Sequence, residues 1–402
     1  MKSSRFTHVT LLLVMFVGLC FPSCSDDIGG GSGTTEKTLF MYFPWSNNLT
    51  SYFETNIADM ETAIAQHGLR DERVLVYFAS TSVEGRLFEI TCDGDHACRR
   101  VTLKEYTDPP LTTADGLASL LNDVRTFAPA STYAMTIGCH GMGWVPVSVN
   151  RSRAASPYKY HWENTDGLLT RYFGGTSPVY QTDITTLAEA LQLAGLHMDY
   201  ILFDDCYMAA VEVAYDLRKV TDFLIASTCE MMAYGLPYAQ IGQYLLGDPD
   251  YEAICNGFID FYSAYPTPCG TLSVTDCARL DDLAALMKEI NTRCTYTGHA
   301  ESELQDLDGY NPTIYYDFAD YVHHLCDDPA LTATFDNLLS AIVTHKVCTE
   351  TYYTNLSGAG TDGSGTYPIR TYSGLTVSDP STGHPLATLT QKQNTAWWKA
   401  TH

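Results

Sequence analysis

The chain has 402 residues, 45% of them hydrophobic and 17% charged, a composition that excludes a disordered chain and fits a well-cored globular one. Forty-seven acids against 23 bases give a net charge of −24, which argues against nucleic acid as a partner and against charge-driven docking on anionic membranes. The length allows one large domain or two ordinary ones.

At the N-terminus MKSSRF carries Lys2 and Arg5, and LLLVMFVGLCF is an apolar run too short to span a bilayer as a mature helix. FPSC then ends at Cys24, with the small residue Ser23 before it. This resembles a bacterial lipoprotein signal, in which residues 1–23 are removed and Cys24 is acylated. Cys20 is a rival site, but bulky Leu19 precedes it. Ser25-Asp26-Asp27 resembles the acidic surface-export signal of some Gram-negative anaerobe lipoproteins. The expectation is an outer-membrane lipoprotein at the cell surface, held to the membrane by its lipid alone. IGGGSGTTEK reads as a flexible tether, placed over residues 24–37.

Strand-like and helix-like runs then alternate. LFMYF (39–43) is a strand, NLTSYFETNIADMETAIAQHG a helix ending at Gly68, and RVLVYFAS (73–80) a second strand. In LFEITCDGDHACRRVTL two short strand-like runs flank Asp93-Gly94-Asp95, which predicts a hairpin that Cys92 and Cys98 could bridge. The alternative is a metal site from Asp93, Asp95, His96 and Cys98. Without Cys20 and Cys24 eleven cysteines remain, so at least one stays unpaired. LTTADGLASLLNDVRTFA has helical spacing, TYAMTIGCHG (132–141) is a strand, and a polar connection follows from about 145 to 182. Helix 183–195, strand 199–204, helix 207–219 and strand 222–227 complete a pattern that predicts a mostly parallel sheet with helices on both faces. In the second half, helices are expected near 237–246, 250–264, 280–293, 314–326 and 330–347, with a strand in GTLSVTD (270–276). From 355 onward Gly, Ser, Thr and Pro dominate until the amphipathic NTAWWKAT.

Two strands end in chemistry. DYILFDDCYMAAVE is an apolar strand running into Asp204, Asp205 and Cys206, and TYAMTIGCHGMGW ends in Gly138, Cys139, His140 and Gly141. In open α/β sheets ligands sit at the carboxyl ends of strands. Adjacent strands ending in His and Cys would bring an imidazole near a thiol, as a thiol nucleophile requires for its activation and for protonation of a leaving amine. Gly141 lets the backbone approach a substrate, and its amide with that of Cys206 could form an oxyanion hole. A helix beginning just after Cys206 would add its positive dipole end.

The order apolar strand–His-Gly, then apolar strand–Asp-x-Cys, resembles the clostripain-like cysteine peptidases, which share a caspase-like fold with legumains, gingipains and separases. YFPWSNNL (42–49) is similar to their first strand and Asn-rich turn, with Ser where an acid is frequent, and CHGMGW to their His-Gly-x-Gly-Trp. FDDCYMAAVEVAYDL carries the most specific match, and IASTCEMMAYGLPY (225–238), GTLSVTDCARLDDLA and SGLTVSDP have counterparts too.

The resemblance implies a caspase-like three-layer α/β sandwich, expected here as a catalytic domain at 38–279 with an α-rich region 280–402 packed on it. It implies His140 and Cys206 as the catalytic dyad and a preference for a basic residue before the scissile bond. Asp204 matches the pocket acid, and Glu230 is a candidate second acid. Asp205 is either a solvated carboxylate or a residue that orients His140. Self-cleavage after a basic residue between the dyad members points to Arg151 or Arg153, ahead of Lys159 and Arg171. The chemistry requires no cofactor; calcium dependence occurs in such proteins, but no calcium-loop spacing is present.

Substrates are expected to be proteins or peptides, and the protein a monomer. The alternatives are the same dyad with non-basic specificity, or a non-enzymatic surface lipoprotein using Trp397-Trp398 as a contact. For that tail a packed C-terminal helix is the other reading. Cys139 is a packing thiol or a redox partner. Adjacent His323 and His324 point apart on a helix, which disfavours a metal site.

Overall fold

The computed structural model describes residues 34–92, 97–147, 174–296, 303–310, 313–356, 365–379 and 391–402. Cys24, Arg151, Arg153, Lys159, Arg171 and the Asp93–His96 turn lie outside them. Among the described residues nine strands form one sheet in the order β10-β8-β7-β6-β5-β1-β2-β3-β4. In chain order these are β1 (Thr35–Phe43), β2 (Glu72–Ala79), β3 (Glu84–Cys92), β4 (Cys98–Thr107) and β5 (Ala130–Gly138). They continue with β6 (Met198–Asp204), β7 (Thr221–Ala226) and β8 (Thr271–Asp276). A two-residue strand, β9 (Tyr316–Asp317), pairs apart from the sheet with Thr376–Val377, and β10 (Val343–Cys348) closes the main sheet.

The five central strands, β2-β1-β5-β6-β7, run parallel, and the pairs at both edges are antiparallel. Parallel strands covered on both faces must be apolar on both faces. That is why LFMYF and YILF are continuous apolar runs and are buried throughout.

Strand order reverses at β1. The step from β1 to β2 moves one way along the sheet, and the steps β5 to β6 to β7 move the other, so right-handed crossovers place their helices on opposite faces. Helix Thr50–His67 accordingly packs with Tyr238–Ile241, which in turn packs on Tyr251–Ser263. The other set links Ala114–Phe127, Ile184–Ala194, Val211–Leu217, Leu280–Arg293 and Ala396–Thr401. Local signals fix several helix starts: Thr113 accepts from the Gly116 amide, and Asp328 caps Pro329–Ile342 with proline in the first turn. Reversal of order opens a crevice at the carboxyl ends of β1 and β5, the usual place for a ligand in such sheets.

Four sequence expectations change. The tether ends earlier than residue 37, because Thr35 and Lys37 already pair with Ala130 and Thr132, and Lys37 bonds Asp199. The region after 280 is not an α-rich body set on a finished domain. Thr34–His402 forms one compact unit, and β10 adds a strand to the sheet beside β8. The helical pattern of 330–347 stops at Ile342, where VTHKV brings three β-branched residues, Val343, Thr344 and Val347, within five positions. Finally, the helix behind Cys206 starts at Val211 rather than 207. Tyr207 takes a left-handed backbone (φ +63°), Ala209 N donates to Ser227 O, and Ala210 bridges Thr376, so the chain turns before it coils.

Disulfides join Cys92 to Cys98 across the hairpin and Cys294 to Cys326. Seven other cysteines among the described residues stand outside these two disulfides, six of them buried.

Candidate active site

β5 and β6 pair in parallel with Gly138 opposite Asp204, so His140 and Cys206 leave neighbouring strands two residues beyond that pair. Both are fully buried. Gly141 packs on the peptide that carries the thiol. A Cβ at 141 would lie 2.2 Å from Cys206 O and 2.9 Å from Cys206 N, so only glycine fits. The Gly141 and Cys206 backbones are thereby neighbours, as an oxyanion site built from their amides needs.

His140 Nε2 lies 2.8 Å from Asn48 Oδ1. An amide oxygen can only accept, so in this pairing Nε2 carries the proton. Asn48 follows β1 and His140 follows β5, so the contact spans the place where strand order reverses. The sequence offered Asn48 only within the Asn-rich YFPWSNNL turn, with no sign that it reaches the histidine. The His140 amide also donates to Gly174 O at 3.4 Å.

The thiol sulfur accepts from the Met231 amide at 3.2 Å and lies 3.7 Å from the Met231 carbonyl oxygen. Behind it, Tyr207 holds a strained left-handed turn that an L-residue adopts at a cost of roughly 1–2 kcal/mol. Its ring stacks on Tyr315 at 5.3 Å between centroids, and its hydroxyl donates to Glu230 Oε1 (2.9 Å) and Asp308 O (3.1 Å). Glu230 Oε1 also accepts from Thr354 Oγ1 (2.6 Å) and Asn355 N (3.0 Å). The second acid expected in the pocket is thus tied into the scaffold behind the thiol.

Asp204 is fully buried, and its Oδ1 accepts from the Leu236 amide at 2.8 Å. The segment Tyr234–Leu236 that meets it is pinned from two helices. Asn56 and Asp59 bond Tyr234, and the Tyr262 hydroxyl donates to Gly235 O. Burial, the hydrogen bond to Asp59 and the charges of Asp59 and Asp204 all raise the Tyr234 phenol, so it stays protonated. Asp205 is buried rather than solvated, and its Oδ1 accepts from the Cys139 amide at 2.6 Å. Cys139 Sγ lies 3.6 Å from the same carboxylate, a packed position.

Three sequence motifs meet behind the site. Trp144 Nε1 donates to Ser378 Oγ (2.6 Å), the Ser378 amide donates to Glu212 Oε1 (2.8 Å), and Thr376 N donates to Ala209 O (2.9 Å). CHGMGW, FDDCYMAAVE and SGLTVSDP are therefore one structural assembly. Trp397 is buried against Tyr215 and Phe318, and Trp398 stacks on His402, so the tryptophan pair belongs to a packed C-terminal helix. His323 pairs with Asp336 and His324 with the Asp320 carbonyl. Among the described residues no group of three or more His, Cys, Asp and Glu is placed to hold a metal ion, and no helix is long and apolar enough to cross a membrane.

A parallel-centred sheet with histidine and cysteine at neighbouring strand ends defines a caspase-like cysteine peptidase. The clostripain family profile matches residues 41–347, and the chain belongs to that family. Among solved structures, a secreted C11 cysteine protease from Bacteroides thetaiotaomicron, "iotapain", is similar at 50% identity and a TM-score of 0.82, over 92% of this chain and 100% of that one. An inactive zymogen C11 protease from Parabacteroides distasonis is 26% identical (TM-score 0.76; 92% and 99% covered). A clostripain from B. thetaiotaomicron in complex with the peptide inhibitor BTN-VLTK-AOMK is 55% identical over 57% of this chain and 99% of that one (TM-score 0.53). A comparison with curated proteins finds no match.

Proposed function

We propose that this cysteine peptidase is an endopeptidase that cuts after basic residues through Cys206 and His140. The observation that carries the reading is the packing of Gly141 on the Cys206 peptide at paired strand ends. The Cys206 thiolate adds to the scissile carbonyl, and the oxyanion is held by the amides of Gly141 and Cys206. The tetrahedral adduct collapses by breaking the C–N bond, and protonated His140 gives its proton to the leaving amine. Water then attacks the thioester, His140 takes its proton, and carboxylic acid and thiolate are released. No step calls for a cofactor or for calcium. Asn48 holds the imidazole in place.

Basic specificity is supported by buried Asp204, whose charge a Lys or Arg side chain would offset, and by the relative's inhibitor, whose peptide ends in Lys. A non-basic preference is the second reading, because Glu230 is engaged by Tyr207, Thr354 and Asn355. Complete burial of His140 and Cys206 supports a self-inhibited single chain that is cut near Arg151 or Arg153, and one relative is a zymogen. We place the mature protein on the outer membrane through acylated Cys24, acting there as a monomer on protein or peptide substrates. Loss of a fatty-acid label in Cys24→Ser tests the anchor, and label retained in that variant would contradict it. A cleavage profile on a peptide library, with Cys206→Ala as control, tests the rest. Cuts after Lys or Arg that vanish in the control are expected; cuts after other residues would favour the second reading.

A further inference from the structure

Five large apolar side chains are exposed among the described residues, and three of them, Val83 (47%), Val179 (62%) and Tyr180 (36%), line one cleft. Scattered exposed apolar residues need no explanation, but a cluster on the wall of a concavity marks a binding surface. The cleft sits at the carboxyl ends of β1 and β2, where Trp45 gives it an aromatic wall and Glu84 and Asp108 give it only negative charge.

Two short connections tie this cleft to the histidine. Trp45 stands three residues before Asn48, whose Oδ1 meets His140 Nε2. On the other side, the His140 amide bonds Gly174 O, Gly174 bridges Gln181, and Gly175 N bonds Tyr180 O. These connections place the cleft on the β1 side of His140. Asp204 and the Leu236 segment meet over β6, on the opposite side of the strand that carries His140.

This asymmetry gives the substrate a direction. The group that protonates the leaving amine must face the new amino terminus, so the residues after the scissile bond run from Cys206 past His140 toward β1 and β2. Strands are about 4.8 Å apart, so the cleft lies two to three spacings, roughly 10–14 Å, from the nucleophile's strand. An extended peptide advances roughly 3.4 Å per residue. We propose that this cleft is a subsite for the third or fourth residue after the scissile bond. It takes an apolar or aromatic side chain and rejects an acidic one. The proposal rests on the Cys206–His140 reading of the site.

The test separates the two. A peptide electrophile ending in Lys carries no residues beyond the scissile position, so its rate of labelling Cys206 reports the dyad alone. Internally quenched peptides with a fixed Lys, and Leu, Phe, Ser or Asp at the third and fourth following positions, report the cleft. The active wild-type enzyme should cleave the Leu and Phe peptides at least about 10-fold faster than the Asp peptides in kcat/KM, the scale of one apolar contact. Val83→Lys combined with Val179→Lys, both on exposed side chains, should leave labelling unchanged and shift the preference toward Asp. Labelling with a flat profile in the wild type, or with a profile the double variant leaves unchanged, overturns the subsite. Absence of labelling overturns the reading of a Cys206–His140 dyad with basic preference on which it rests.

Discussion

Tyr207 bears the strain of the site, and the residues around it show where that strain is balanced. A left-handed turn at a bulky residue persists only when its surroundings over-determine it. Here Tyr315 stacks on the ring, while Glu230 and the Asp308 carbonyl take the hydroxyl. Removing the Glu230 carboxylate would leave Thr354 and Asn355 donors buried and unpaired, at about 1–3 kcal/mol each. Glu230→Ala should therefore lower the melting temperature and kcat together, and Glu230→Gln, which keeps an acceptor oxygen, should restore most of both. The preference for Lys or Arg should persist in the residual activity. A variant that keeps full stability but loses basic preference would return Glu230 to the pocket. Asn48 is a positioning residue of a different kind. Asn48→Ala should reduce kcat more than it changes KM and should shift the pH–rate profile, since the imidazole loses the acceptor that fixes its tautomer. An unchanged profile would contradict that role.

At the level of elements, the short helix Val211–Leu217 matters through the carboxylate it buries. Burial pushes Glu212 up to about 8, although the Ser378 amide and Lys392 pull the other way. Between its ordinary range near 4.5 and about 8, the folded chain keeps a proton that the unfolded chain has lost. This group's contribution to stability therefore falls as pH rises through that window. Glu212→Gln, which retains an oxygen for Ser378, should flatten the decline in melting temperature between about pH 5 and pH 8 and make the protein more stable at the upper end. Parallel curves for wild type and variant would contradict the protonated state.

Elements also show what a sequence can reveal. The long apolar strands and the helices between them were legible because burial on two faces forces continuous apolar runs, and because one-sided helices repeat every three to four residues. His140, Cys206 and Asp204 stand out in the sequence as polar residues, and Gly141 as a small one, at the ends of such runs. The helix start at 207 was misjudged because AAVEVAYDL reads as helix, and nothing local announces that Tyr207 turns left-handed. The contacts of Asn48 with His140 and of Glu230 with Asn355 are not legible in the sequence because the partners lie 92 and 125 residues apart. The pairings of the tail escaped notice because they are only two or three residues long.

At the scale of the whole molecule, His140 and Cys206 lie on either side of the 145–182 connection, yet their strands are partners within one sheet. A cut at Arg151 or Arg153 would therefore separate β1–β5 from β6–β10 in sequence while leaving the β5–β6 pairing to hold them together. Active wild-type protein should give two masses that co-elute under native conditions, and Cys206→Ala should stay one chain. A single uncut chain in an active sample, or the same cut in isolated Cys206→Ala, would overturn self-processing. The central claim is that a thiol at one strand end is driven by a histidine at the next. Its most direct measurement is peptide mapping of the enzyme after exposure to a Lys-terminated peptide electrophile. The account predicts one adduct, on Cys206, formed quickly in wild type and slower by about 10²-fold or more in His140→Ala. An adduct on another cysteine, or equal rates in the two proteins, would contradict it.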